Sequence, residues 1–354
     1  MSSEPSAAIE TGGNKTEGNG NTNRNRDEDE AGAETESGAG DIDDVSVVGA
    51  GTMGYGIALA YATGGCEVRL YDVDDDAVER AKRNVRSGLD SLAAAGRLTE
   101  TESRSVADRI GCESDFERAV AESDLVTEAV PEDVELKRET FARLDEHAPA
   151  EAILATNTSG LSITEISTAV SDPSRVVGTH WFNPAHVVPG VEVIRGERTA
   201  NETIDRTTAL LERVGKTPIV VERDIRGFIG NRLQLAMAYE AFSLLDRGVA
   251  DAETIDRAAR STFGFRLPAS GVFEKVDQSG LDVQADVTEY LLPDLDRGTD
   301  PHKVLSALVR EGNLGTKTGR GIYDWSDRDL DELNAERDRE LLALLDAYES
   351  NAAE

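Results

Sequence analysis

The run Val45-Ser46-Val47-Val48-Gly49-Ala50-Gly51-Thr52-Met53-Gly54 decides how this chain folds. A short β-branched run passes at once into glycines in the pattern GxGxxG, and a helical stretch from about Thr52 to Thr63 follows. Such a hexapeptide is weak evidence alone. Between a strand and a helix it is a dinucleotide-binding fingerprint. Gly49 permits the tight turn, Gly51 lets the backbone approach a pyrophosphate, and Gly54 lets the helix pack closely on the strand. The amides and dipole of the helix N-terminus then face the phosphates. The next strand, Glu67 to Tyr71, ends at Asp72, where the fingerprint expects an acid. That carboxylate accepts hydrogen bonds from both ribose hydroxyls and repels a 2′-phosphate. Val73 to Asp76 bring no Arg to offset it, so the pattern specifies NAD over NADP.

Outward from this point the pattern alternates. A charged helix is expected from about Asp75 to Ala95, strands at Leu125–Glu128 and Ala152–Ala155, and a helix between them from Val134 to His147. Strand, helix, strand repeats specify an α/β fold with a Rossmann-type, doubly wound, mostly parallel sheet. Past about residue 226 the strands stop. Phe228 to Arg247 reads as a helix apolar on most faces, which calls for burial in a bundle or a subunit interface. Further helical pattern follows at Asp251–Ser261, Leu281–Leu291 and Pro301–Glu311. The organisation expected is a disordered acidic tail over residues 1–42, an NAD-binding domain over 43–225, an all-helical substrate and dimerisation domain over 226–330, and a helical extension over 331–354.

Composition narrows the function. The 354 residues carry a formal charge of −32, and of 37 bases only seven are Lys. Such a chain repels nucleic acid and anionic membrane surfaces. No apolar run is long enough to span a bilayer, and no basic stretch leads into an apolar core as a secretory signal would. Cys66 and Cys112 are too few for a disulfide scaffold and suit a reduced cytoplasm. No Cys/His cluster calls for a metal. The spread of carboxylates, with Arg favoured over Lys, resembles proteins of salt-loving organisms, a halophilic archaeon being the expected source.

One further constellation carries chemistry. His180 stands at an expected strand end, before the Asn183-Pro184 turn, and Glu192 lies in the apolar segment Val191-Glu192-Val193-Ile194. An acid inside an apolar strand is unfavourable unless paired. If the two strands are neighbours, Glu192 orients the His180 ring and makes it a general base. His147, His186 and His302 read as ordinary histidines, with His186 a distant rival for the base.

Here the chain resembles the 3-hydroxyacyl-CoA dehydrogenase family. The similarity runs through Val48–Gly56, Asp124–Glu132, Ala155–Ser159, His180–Pro184, Gly227–Arg232, Gly280–Asp282 and Leu314–Tyr323, in order over about residues 44–325. The resemblance implies that His180 takes the proton of the 3-hydroxyl, held by Glu192. It implies that Ser159 and Asn231 hydrogen-bond the reacting oxygen or the acyl carbonyl. Thr52 and Met53 of the fingerprint, with Glu132, Lys137, Ser159, Asn183 and Lys317, would complete the cofactor site. The implied activity is reversible oxidation of a 3-hydroxyacyl-CoA to the 3-oxoacyl-CoA in fatty-acid or butyrate-type metabolism, by a homodimer paired through the helical domain.

The match departs at two places, on the helix after the second strand and at Gly264-Phe265-Arg266-Leu267-Pro268. The family offers a Ser and a Lys for CoA on the helix after the second strand, where this chain has Gly88 and Ala95. Arg83, Arg86 and Arg97 lie nearby and can substitute, since Arg serves phosphate well. Relatives of this build also oxidise CoA-free hydroxy acids such as gulonate or carnitine, which is the alternative substrate class. A non-catalytic dinucleotide-binding protein is the other alternative. Arg266 is either a ligand for a substrate carboxylate or phosphate, or a structural ion pair.

Overall fold

The computed structural model describes residues 42–352. In chain order the elements are β1 (Asp44–Val48), α1 (Thr52–Thr63), β2 (Glu67–Tyr71), α2 (Asp75–Ala94), α3 (Glu100–Asp108), β3 (Ile110–Glu113), α4 (Phe116–Val120), β4 (Leu125–Glu128), α5 (Val134–His147), β5 (Ile153–Thr156), α6 (Ile163–Ile166), β6 (Val176–Trp181), β7 (Gly190–Ile194), α7 (Asn201–Arg213) and β8 (Thr217–Val221). Seven helices follow: α8 (Gly230–Asp246), α9 (Ala252–Ser261), α10 (Phe263–Arg266), α11 (Val272–Ser279), α12 (Leu281–Leu291), α13 (Lys303–Arg310) and α14 (Leu330–Ala352).

The strands form one sheet in the order β3-β2-β1-β4-β5-β6-β7-β8. Every neighbouring pair is parallel except β6 and β7. The order reverses between β1 and β4, the switch point at which such sheets bind ligands beyond the carboxyl ends of their strands. Buried apolar side chains form two clusters. One unites Ile57, Leu59 and Tyr61 of α1 with Leu89 of α2 and Leu342 of α14. The other gathers Phe116, Phe141, Leu144, Ile163 and Phe228. A sheet buried on both faces needs near-continuous apolar strands, and β4 and β5 are buried at every position.

Local chemistry sets the helix starts. Asp74 caps α2 by accepting the Asp76 N–H, and Thr99 caps α3 in a reciprocal pair with Glu102. The tail expected over residues 1–42 lies outside the described residues but for Ile42, which is buried in the core. The helix expected from Phe228 begins at Gly230, because Phe228 takes a positive φ of 47° and turns the chain into it. That helix is also far from buried all round: Leu233, Leu235 and Met237 are 59%, 66% and 46% exposed within this chain. After β8 the only β pairing among the described residues is two isolated bridges, at Gly315–Arg320 and Arg320–Asp324. No helix of the described residues is long and apolar enough to cross a membrane.

Candidate active site

A cavity of about 700 Å³ opens at the carboxyl edge of the sheet, lined by Gly49, Gly51, Thr52, Met53, Asp72, Glu132 and Ser159 among others. The three fingerprint glycines do three separate things. Gly49 has φ 109°, and a Cβ there would lie 2.6 Å from the Ala129 carbonyl oxygen. A Cβ on Gly54 would collide with the Gly49 carbonyl, so only Gly lets α1 seat on β1. A Cβ on Gly51 would meet nothing within 4 Å, because that side faces the cavity. The first amides of α1 have no intrahelical partners and point toward it. At the rim, Asp72 accepts the Ala50 N–H at 2.7 Å and the Asp74 N–H at 3.0 Å, which fixes its carboxylate. The donor set and the carboxylate fit a dinucleotide with an unphosphorylated adenine ribose.

His180 and Glu192 are direct partners in the β6–β7 register. The antiparallel pairing turns both side chains to one face, and Nδ1 of His180 stands 2.6 Å from Oε2 of Glu192. Both residues are buried. The other carboxylate oxygen accepts the Ile229 and Gly230 N–H groups, each at 2.8 Å. Burial works to raise the Glu192 carboxyl, but the His180 bond and the two amides hold it below the ordinary carboxylate range. Nε2 of His180 has no protein partner among the described residues. Phe182 and Phe228 flank the ring, with centroids 4.4 and 5.7 Å away.

Ser159 and Asn231 are brought together: the Asn231 side-chain amide donates to the Ser159 carbonyl at 2.8 Å. Glu132 accepts the Ser159 N–H at 2.8 Å and the Thr158 hydroxyl at 2.7 Å, which ties the β5 loop to the cavity wall. Asn183 is exposed, beyond the His180 strand. Lys317 is exposed in a short turn and is not among the residues lining the cavity.

Lys137 departs from expectation. It does not line the cavity; it is fully buried and pairs with Glu128 at 2.7 Å. It also donates to the carbonyls of Asn157 and Val130, at 3.0 and 3.3 Å. Its ammonium ties together the loops that carry Val130 and Asn157, both of which line the cavity. Glu128, which also accepts the Thr156 hydroxyl at 2.6 Å, is the residue that sequence reasoning passes over. The signal is present: Glu128 is an acid ending an apolar buried strand, the same anomaly that singles out Glu192.

The face of α2 that carries Gly88 is covered. A Cβ on Gly88 would lie 2.6 Å from Leu59 Cδ2 and 3.5 Å from His186 Nε2. Arg97 does not stand open for a phosphate: it bonds Asp346 and Glu349 of α14 at 2.6 Å each. His186 is buried with neither ring nitrogen hydrogen-bonded, and Asp338 of α14 lies 4.0 Å away. Burial lowers the His186 imidazole to about 4, against a smaller opposing pull from Asp338, so it is a poor base. Arg266 borders a second cavity of about 830 Å³ between α8 and α11, with Lys275, and makes no ion pair among the described residues.

A doubly wound sheet, a glycine turn with an acid at the next strand end, and a His–carboxylate pair beside it define a dinucleotide-dependent oxidoreductase. The particular family follows from comparison. Residues 44–225 match the NAD binding domain of 3-hydroxyacyl-CoA dehydrogenase, and residues 227–325 match its C-terminal domain. The chain belongs to the 3-hydroxyacyl-CoA dehydrogenase family and is an NAD-dependent enzyme. It is 40% identical over 289 residues to a probable 3-hydroxybutyryl-CoA dehydrogenase of Bacillus subtilis, covering 81% of this chain and 99% of that one. It is 34% identical over 306 residues to 5-formyl-3-hydroxy-2-methylpyridine 4-carboxylate 5-dehydrogenase of Mesorhizobium japonicum, covering 86% and 97%. The crystal structure of an enzyme with that activity superposes with a TM-score of 0.82 at 33% identity, over 87% of this chain and 99% of that chain. L-carnitine dehydrogenase of Streptomyces griseus is 33% identical over 320 residues, 87% of this chain and 90% of that one.

Proposed function

We propose that this enzyme reversibly oxidises the hydroxyl of a 3-hydroxyacyl compound to the 3-oxo compound. The observation that carries the reading is the His180–Glu192 pair, 2.6 Å apart and anchored to the start of α8. NAD, when bound, supplies the hydride acceptor. Nε2 of His180 takes the hydroxyl proton, and the Glu192 carboxylate holds Nδ1–H and stabilises the imidazolium that forms. The Ser159 hydroxyl and the Asn231 amide are donors for the oxygen as it becomes a carbonyl. Glu132 fixes the Ser159 backbone so that this donor is in place before reaction.

His180→Ala is expected to lower kcat by about 10²–10⁴-fold while NADH binding, read by fluorescence, stays within twofold or so. Full activity in that variant would remove His180 from the mechanism.

A 3-hydroxyacyl-CoA is the substrate to which the family points, as in the Bacillus relative's name. A CoA-free hydroxy acid is the second reading. It is favoured by the two relatives named for a pyridine carboxylate and for carnitine, whose similarity extends over 306 and 320 residues, against 289 for the Bacillus protein.

We also infer a homodimer formed through α8, because Leu233, Leu235 and Met237 would otherwise remain in water. Light scattering in molar KCl is expected to give twice the chain mass; a monomer there would refute the pairing. Free Cys66 and Cys112 support a cytoplasmic site of action.

A further inference from the structure

Helix α14 lies beyond the residues that match the family, which end at 325. Yet it is built into the dinucleotide-binding part. Leu342 is 1% exposed in the same core as α1 and α2, with Leu341 and Leu345 packed beside it. Asp338 reaches the His186 and Tyr55 region, and at the other end Asp346 and Glu349 take both terminal guanidinium nitrogens of Arg97. The helix therefore runs along the exposed flank of α2.

The first turn of α2 lines the cofactor cavity through Ala77. Phe228, just before α8, stands on one side of His180. The loop after His180 folds back onto α1: a Cβ on Gly56 would lie 3.2 Å from Ala185, and His186 packs near Tyr55. Helix α14 closes over this loop. It also brings charge of one sign. From Glu332 to Glu349 it carries six carboxylates against two arginines. A CoA thioester carries a diphosphate and a 3′-phosphate, which such a surface repels. Of the arginines on this flank, Arg97 already has two carboxylate partners.

We propose that α14 is a specificity element that closes the α1–α2 flank of the cleft to the phosphorylated handle of a CoA thioester, so that the enzyme takes a small, free hydroxy acid. The proposal rests on the dehydrogenase reading above and names the substrate class for that site. A handle lying along α2 would meet α14 and its carboxylates, whereas a free acid carries no such handle.

The test compares the full chain with two variants: one ending at Asp329, and the full-length pair Asp346→Asn with Glu349→Gln, which frees Arg97 while leaving Leu342 in the core. NADH oxidation is measured with acetoacetate and with acetoacetyl-CoA, and CoA binding is measured separately by calorimetry. The full chain is expected to favour the free acid by about tenfold or more in kcat/KM. Both variants are expected to gain about tenfold for the thioester and to bind CoA more tightly, with NADH binding unchanged. The proposal falls if the full chain prefers the thioester, or if CoA binds the full chain as tightly as it binds the variants. Should the shortened form not fold, the full-length pair decides. If neither compound is turned over while NADH still binds, the dehydrogenase reading fails on these substrates, and the CoA-binding comparison still decides the role of α14.

Discussion

His186 shows how one buried side chain links the site to pH. It sits between α1, Gly88 of α2 and α14, faced by Asp338 and Arg337 of α14 and by Lys216 before β8. Burial, opposed by Asp338 and reinforced by the cations, brings it from 6.5 to about 4, so the fold holds the neutral ring. In the unfolded chain the ring takes up a proton near pH 6.5. The stability it contributes is therefore complete above that pH and is lost as pH falls from about 6.5 to about 4, reaching about 3 kcal/mol. His186→Leu is expected to flatten the pH dependence of urea unfolding by about that amount across this window. Identical pH profiles in the two proteins would show that the ring is not held neutral. At this scale the site was largely legible. His180 with Glu192, and Gly49, Gly51 and Gly54, announce themselves because each breaks a local rule: an acid in an apolar strand, or a residue without Cβ at a tight turn. Lys137 is not placed by sequence alone, because spacing does not say whether a lysine at that point faces a cavity or the core. Its ammonium answers Glu128 across two elements, and a pairing over such distance leaves no periodic trace.

Among elements, those whose residues follow a period were readable and those set by their neighbours were not. Helix α5 and strand β4 begin and end where pattern places them, since capping by Asp133 and burial on both sheet faces are local causes. Strand β3 is an edge of four residues with Gly111 inside, and β8 contains Pro218, so both forfeit the signals of a central strand. Helix α8 looked greasy enough to be buried, but packing within one chain leaves its first turns in water. The α1–β1 junction supplies a test at this scale. Gly54→Ala places a methyl against the Gly49 carbonyl, and backbone cannot yield as a flexible side chain does. The helix must lift from the strand, which withdraws its N-terminal amides from the pyrophosphate. Overpacking of this kind costs about 1–3 kcal/mol. We expect a lower melting temperature together with loss of NADH binding by about tenfold or more. Unchanged binding at lowered stability would mean that the close approach serves packing alone.

For the whole molecule the governing quantity is charge. A formal −32 over 354 residues is a strong self-repulsion, and the ion pairs that temper it are mostly exposed. Exposed pairs contribute little singly, about 0–1 kcal/mol, and weaken with added salt. The two effects therefore oppose each other as salt rises: pairs lose attraction while the larger set of unpaired carboxylates loses repulsion. With 69 acids against 37 bases the second must win. Screening length falls from about 10 Å at 0.1 M to about 3 Å at 1 M, so most of the gain comes within that range. Helix α14 is the element that should respond first, because it brings a carboxylate-rich surface onto a chain already negative and is held by Leu342 and the Arg97 pairs. The expected outcome is a melting temperature that rises between 0.1 and 1 M KCl, by several degrees at roughly 1–3 kcal/mol of added stability. Protection of α14 amides from hydrogen exchange should rise over the same interval. A melting temperature that falls with salt would show that the ion pairs, not the unpaired carboxylates, set the stability of this fold.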